Sequence, residues 1–224
     1  MCENGHVGSY EEFNDYLADI EPIRLREPLA ETLGAIRRKG AALDYTFVEV
    51  VKLAGHACPT TASAYECCRA ALKRLYPDQT PVRGEIEVTV YGAPDDGVYG
   101  VVGQVFSFLT GAAPATGFKG LGTSFRRKDL LTYQEESPDP AVMCFRFRRK
   151  DNGKAVLCKL CHDEMPDLDS EKDRRLGDLM PKVLWEAAKK DEISEFGRLW
   201  MDSVKLIFES ARENNKWLKI EEVK

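Results

Sequence analysis

The sequence predicts an α+β fold: a central sheet, mixed or antiparallel, with helices packed on it and a helical C-terminal extension. Three stretches carry that prediction. Between Gly84 and Gly92, Ile86, Val88 and Val90 alternate with Glu85, Glu87, Thr89 and Tyr91, the period of a half-buried strand. Val142–Arg149 and Lys154–Cys161 flank Asn152-Gly153, a dipeptide preferred in two-residue hairpin turns. From Pro166 the composition turns to charged residues with apolar positions at helical spacing. The chain therefore divides into an α+β domain over 1–165 and a helical extension over 166–224.

The other elements follow in order. Residues 9–20 read as a short amphipathic helix capped by Ser9, with Phe13, Leu17 and Ile20 as its stripe. Ile23-Arg24-Leu25 reads as a short strand before Glu27-Pro28. Leu29–Arg38 reads as a helix with Leu29, Leu33 and Ile36 on one face. Asp44 suits the cap of a helix whose apolar positions are Tyr45, Val48 and Val51, and Gly55 suits its left-handed end. A second helix runs from Pro59 to Tyr76, with Thr61, Tyr65, Cys68, Leu72 and Leu75 on one face. Cys67 lies about 100° round it. Val98–Thr110 is apolar almost all round and predicts a buried helix, with Gln104 and Ser107 as its few polar side chains. Gly111–Gly122 reads as a tight loop that matches no phosphate-loop motif. Ser124–Tyr133 reads as a bent extended segment whose Arg126, Arg127 and Lys128 form a solvated face. In the C-terminal part, Leu176, Leu179, Val183 and Ala187 mark one helix. Phe196, Leu199, Trp200, Val204 and Phe208 give the next a broad apolar face.

Composition narrows the function. A chain of 224 residues with 43% apolar content can bury a core, and a net charge of −5 gives no overall attraction to nucleic acid or an anionic membrane. No window approaches the length of a membrane span. Met1–Tyr10 lacks the basic start and apolar run of a signal peptide, so a cytoplasmic location is expected. The seven cysteines are odd in number and irregularly spaced, which argues against a disulfide framework.

The stretch richest in chemistry is Leu53-Ala54-Gly55-His56-Ala57-Cys58-Pro59-Thr60. The chain has only three histidines, and one of them stands two residues from a cysteine here. Pro59 suits the first turn of a helix, where its missing N–H would be unpaired anyway. Cys58 then falls at the cap, facing the positive end of the helix dipole, a setting that favours a thiolate. Thiolate is the form that binds metal or attacks. His56 and Cys58 are thus candidate metal ligands, and Cys58 is a candidate catalytic nucleophile. The alternative is a small buried apolar Cys with a hydrogen-bonded His beside it.

A second motif, Cys158-Lys159-Leu160-Cys161-His162, has the spacing that attaches c-type haem. The hairpin makes this segment a strand, on which residues three apart face opposite sides, and no export signal accompanies it. Haem is therefore disfavoured. Counting outward from Asn152-Gly153 pairs Arg148 with Leu157, Arg146 with Lys159, and Cys144 with Cys161. Phe145, Phe147, Val156, Cys158 and Leu160 fall on the core side.

Gly55-His56-Ala57-Cys58-Pro59 resembles the Gly-His-x-Cys-Pro motif of the FmdE-like family, named for a component of formylmethanofuran dehydrogenase. The similarity continues through the following helix, the strand at Gly84–Val90, Leu109-Thr110-Gly111, the Lys150–Val156 turn and the helical C-terminus, covering roughly residues 25–210. It implies an α+β domain, a homodimer, and a metal, usually zinc, near His56 and Cys58. The chain departs from the family pattern at Thr60, at Ala112 where many members have Cys, and at Gln104 where many have an acidic residue. It carries no Cys-rich ribbon of the kind that many members have.

Three functions follow. The first is a metal-binding protein, a metalloenzyme or an accessory to one, using zinc or another divalent transition metal at His56 and Cys58. Gln104 on the buried helix would form the opposite wall of that site. The second is a thiol- or sulfur-handling protein using Cys58 without metal. The third is a haem protein through Cys158, Cys161 and His162. The face holding Phe196, Leu199, Trp200 and Phe208 is the expected homodimer contact. No residue pattern names a small-molecule substrate.

Overall fold

The computed structural model describes residues 13–213 and 215–223. Its first helix, α1 (Asp15–Ala18), is shorter than the expected 9–20 element, and Ser9 lies outside the described residues. Asn14 is the cap, its side chain accepting the Tyr16 N–H. Strands β1 (Ile23–Arg26) and β2 (Ala42–Tyr45) pair antiparallel. Between them, α2 (Pro28–Thr32) stops well before Arg38. Gly34 and Gly40 take left-handed backbone there, and Leu33 is exposed, so the apolar spacing did not mark a core face.

The next helix, α3 (Phe47–Ala54), is capped by Thr46 rather than Asp44. Thr46 N–H donates to Glu49 Oε2 at 2.8 Å, while Glu49 N–H donates to Thr46 Oγ1 at 3.4 Å. This reciprocal box satisfies two donors where Asp44 alone would satisfy one. Asp44 stays in β2 and pairs with Arg24 at 3.0 Å.

The rest of the order is α4 (Pro59–Leu75), β3 (Ile86–Tyr91), α5 (Tyr99–Thr110), β4 (Gly120–Leu121), β5 (Phe125–Arg126), β6 (Leu131–Gln134), β7 (Met143–Arg149), β8 (Ala155–Leu160), α6 (Ser170–Leu184), α7 (Lys190–Glu213) and β9 (Leu218–Val223). Five strands form a mixed sheet in the order β6-β3-β7-β8-β9, with only the β3–β6 pair parallel. The expected α+β class with a mixed sheet is therefore what the chain adopts. Ile86, Val88 and Val90 are buried as their alternation required. Phe106 of α5 meets Phe145 and Phe147 edge-on, with centroids at 5.1 and 4.9 Å. Helix α4 is buried all round from Thr61 to Cys68, so Cys67 is as deep in the core as Cys68.

The hairpin register differs from the count by two residues. Arg148 faces Ala155, Arg146 faces Leu157, and Cys144 faces Lys159 rather than Cys161. A two-residue turn of the preferred type needs positive φ at both central residues. Here Gly153 has φ 73°, while Asn152 is not among the residues with positive φ. Asn152 Oδ1 instead accepts the Lys154 N–H, Gly153 N–H donates to Arg149 O, and the loop spans residues 150–153. Because side chains alternate with a period of two, the shift leaves each one on its expected face. Phe145, Phe147, Val156, Cys158 and Leu160 are all buried.

Two further departures concern charge and the C-terminus. Between β5 and β6, Arg127 is buried rather than solvated, whereas Arg126 is exposed. After α7 the chain returns to the sheet as β9, pairing Leu218 with Leu160 and Ile220 with Cys158, and Trp217 is buried beneath it. Helix α7 packs on α4, its Phe208 meeting Tyr65 of α4 at 6.3 Å and Phe47 of α3 at 4.8 Å. Helices α6 and α7 share a smaller core of Leu176, Leu179 and Leu199. Among the described residues, no helix is long and apolar enough to cross a membrane.

Candidate functional site

The Gly55–Pro59 turn is fixed from both sides. Gly55, at φ 76°, ends α3 in the left-handed conformation and donates its N–H to Val51 O at 2.8 Å. Cys58 is the cap of α4, and Pro59 opens the helix, as the sequence implied. Cys58 N–H donates to Thr61 Oγ1 at 3.0 Å, and Thr61 N–H donates to Cys58 Sγ at 3.4 Å. The single Thr61 hydroxyl proton has Cys58 O at 3.0 Å as its nearest acceptor. The sulfur thus takes the place that a Ser or Asp oxygen takes at most caps. It accepts a backbone N–H at the positive end of a helix of 17 residues. Cys58 keeps 8% of its surface, so its approach is narrow.

Between these anchors, Ala57 O accepts the indole N–H of Trp200 at 2.7 Å, tying the turn to α7. His56 is exposed, and its Nδ1 lies 3.0 Å from Ala54 O. Since the carbonyl can only accept, Nδ1 carries the proton in this contact. In the neutral ring Nε2 then carries the lone pair, and it has no hydrogen-bond partner among the described residues, the arrangement that orients an imidazole for a metal.

The donor chemistry, one imidazole nitrogen and one sulfur, fits a divalent ion of borderline softness. The donor count fits only an open site, because a closed structural zinc needs four protein ligands. Among the described residues, no group of three His, Cys, Asp or Glu side chains converges. Gln104, expected on the opposite wall, is exposed instead. Val98 and Val102, at the first turn of α5, are what that helix places beside the start of α4. Ala112 follows the far end of α5, whose 12 residues span about 18 Å. A cysteine at that position in this chain would stand far from Cys58.

A cavity of about 160 Å³ opens beside the start of α4. Pro59, Thr60 and Ser63 form one wall, Val102 and Phe145 another, and His162 closes the edge. Sequence reasoning connected His162 only with haem. It reaches this cavity because the chain leaves β8 at Leu160 and turns back over α4 through a short 3-10 segment, His162–Glu164. That approach joins residues about a hundred apart, and no local spacing signals it.

The Cys-x-x-Cys-His residues are separated. Cys158 is fully buried against α4, while Cys161 is partly exposed. Burial pushes the Cys67 thiol up, and the neighbouring Cys158 sulfur adds to the effect; burial also pushes Cys68 up. These three behave as core thiols. Cys144 is covered by the loop before β7, its thiol directed at Asp139 O at 3.7 Å. The sequence matches no protein-family model and no curated protein.

Proposed function

We propose that the chain is a metal-binding protein, a metalloenzyme or an accessory to one, in which His56 and Cys58 hold zinc or another divalent transition metal. The observation that carries this reading is the Cys58 cap. Its sulfur is held by a backbone N–H at a helix start, two residues after an imidazole whose Nε2 has no hydrogen-bond partner among the described residues. The resemblance of Gly55–Pro59 to the FmdE-like motif supports it. A bound ion with open positions would supply an acidified water or a polarised oxygen. The chain's own part is to hold the turn: Thr61 fixes the sulfur, Ala54 O fixes the ring, and Trp200 fixes the peptide between them. A cytoplasmic location and no role for nucleic acid or a membrane belong to the same proposal.

The second reading is a thiol-handling protein using Cys58 alone. It is favoured by the lack of a converging third ligand among the described residues. Metal analysis of the purified chain, with an absorption spectrum, separates the readings. One divalent ion per chain without a Soret band is the expected result. No metal and a single fast-alkylating thiol would transfer the assignment to the second reading. A Soret band would assign haem instead, against the burial of Cys158.

The proposal includes a homodimer, as the resemblance implies, but its expected contact has a different role. Leu199 and Phe208 pack within the chain, and Phe196 stacks on Trp200 with centroids at 5.6 Å. The apolar side chains left uncovered at the α6–α7 corner are Leu184, Trp185 and Ile193, with Trp185 82% exposed. Sedimentation at micromolar concentration is expected to show a dimer; monomer alone would contradict it.

A further inference from the structure

At the other end of α5, three charged side chains meet under a surface cavity. Glu27 caps α2, its Oε1 accepting the Leu29 N–H at 3.2 Å. The same carboxylate accepts from Arg83 Nη1 at 2.9 Å and from Arg127 Nη2 at 2.5 Å. Arg83 also donates to Phe108 O and Leu109 O at the end of α5, and it lies over the ring of Tyr45 in β2 at 5.3 Å.

Arg127 is committed differently. Its side chain is 5% exposed, and among the described residues Glu27 is the one hydrogen-bonded partner of its guanidinium. Nη1 therefore lacks an acceptor among them, yet it is not among the fully enclosed orphan atoms. Gly111 makes room for it: at φ 73°, a Cβ there would lie 2.2 Å from Arg127 Nη1. Gly111, Arg83, Arg127 and Glu27 all line one cavity of about 440 Å³. Exposed Leu33 and Phe118 stand at its rim, and Tyr45 forms part of its wall.

The charges lining this cavity are two guanidiniums and one carboxylate, an excess of one positive charge. In a chain of net charge −5, that local excess has no second carboxylate in the lining, and Arg127, one of its two guanidiniums, is buried while Arg83 is partly exposed. An uncompensated buried charge is costly, and a charge-assisted hydrogen bond to an anion would relieve it. We propose that the cavity binds a small organic carboxylate, with its anionic head on Arg127 Nη1 and its apolar body between Leu33 and Phe118. A monoanion matches the charge excess, and the volume suits a small ligand.

The test is calorimetric titration of the full chain at low salt with benzoate, benzyl alcohol and phenyl phosphate. Benzoate is expected to bind at least about tenfold more tightly than its neutral counterpart, since only the anion gains the charged contact. Arg127→Gln should abolish that preference. Leu33→Glu, a change at an exposed position, should weaken benzoate about threefold by placing a like charge at the mouth. It decides the matter if Arg127→Gln does not fold. Equal binding of benzoate and benzyl alcohol would overturn the proposal. So would benzoate affinity unchanged in folded Arg127→Gln or in Leu33→Glu. Binding of phenyl phosphate without benzoate would overturn it in favour of a phosphate site.

Discussion

Glu27→Ala is expected to destabilise the protein by about 3–5 kcal/mol, the usual cost of removing one partner from a buried ion cluster. The substitution leaves Arg83 and Arg127 without their shared carboxylate and removes the α2 cap as well. The cluster joins the end of β1, the start of β3 and the segment before β6, so the loss is felt across the fold. Urea denaturation monitored by circular dichroism gives the value. A loss below about 1 kcal/mol, the range of an exposed pair, would contradict the cluster's structural role.

The same carboxylate makes stability sensitive to acid. Burial alone would raise the Glu27 pKa, but hydrogen bonds from Arg127 and Arg83, with their charges, outweigh it and hold the carboxyl below its usual range. A folded-state pKa below the unfolded one means stability that is fully present above the unfolded value, 4.5. That stability is lost as pH falls through the folded value. Glu27→Gln should therefore lose less stability than the wild type on acidification, even though it starts less stable at neutral pH.

Local signals proved readable and remote ones did not. The cap of α4 could be seen because Gly55, Cys58 and Pro59 each have a backbone preference that acts within a few residues. Strand β3 could be seen because its alternation is uninterrupted. The hairpin faces were legible but the register was not, since Asn152-Gly153 permits several loops and tertiary pairing chose among them. Strand β9 escaped notice because its alternation is confined to Leu218 and Ile220 at the end of a helical, charged region. Arg127 read as solvated because its partner, Glu27, is 100 residues away. The proximity of His162 to the start of α4 was hidden for the same reason. Leu33 and Ile36 show the opposite error, in which helical spacing existed but Gly34 broke the helix.

Cys58→Ser is expected to remove most of the metal while leaving the fold intact. Serine is a strong cap, so its oxygen can accept the Thr61 N–H in place of sulfur, and α4 keeps its start. What the substitution takes away is the sulfur, the softer of the two donors. His56→Ala should also weaken binding strongly, whereas its exposed ring contributes little to the core. Cys158→Ser and Cys161→Ser should leave the metal content unchanged, because Cys158 faces Cys67 in the core and Cys161 belongs to another surface. Cys158→Ser places a hydroxyl in a fully buried site and is expected to lower stability without touching the ion. The decisive measurement is metal per chain by elemental analysis on purified wild type and Cys58→Ser, with circular dichroism to establish folding. One divalent ion in the wild type and nearly none in a folded Cys58→Ser is the predicted result; full occupancy in the folded variant would contradict the assignment of this site.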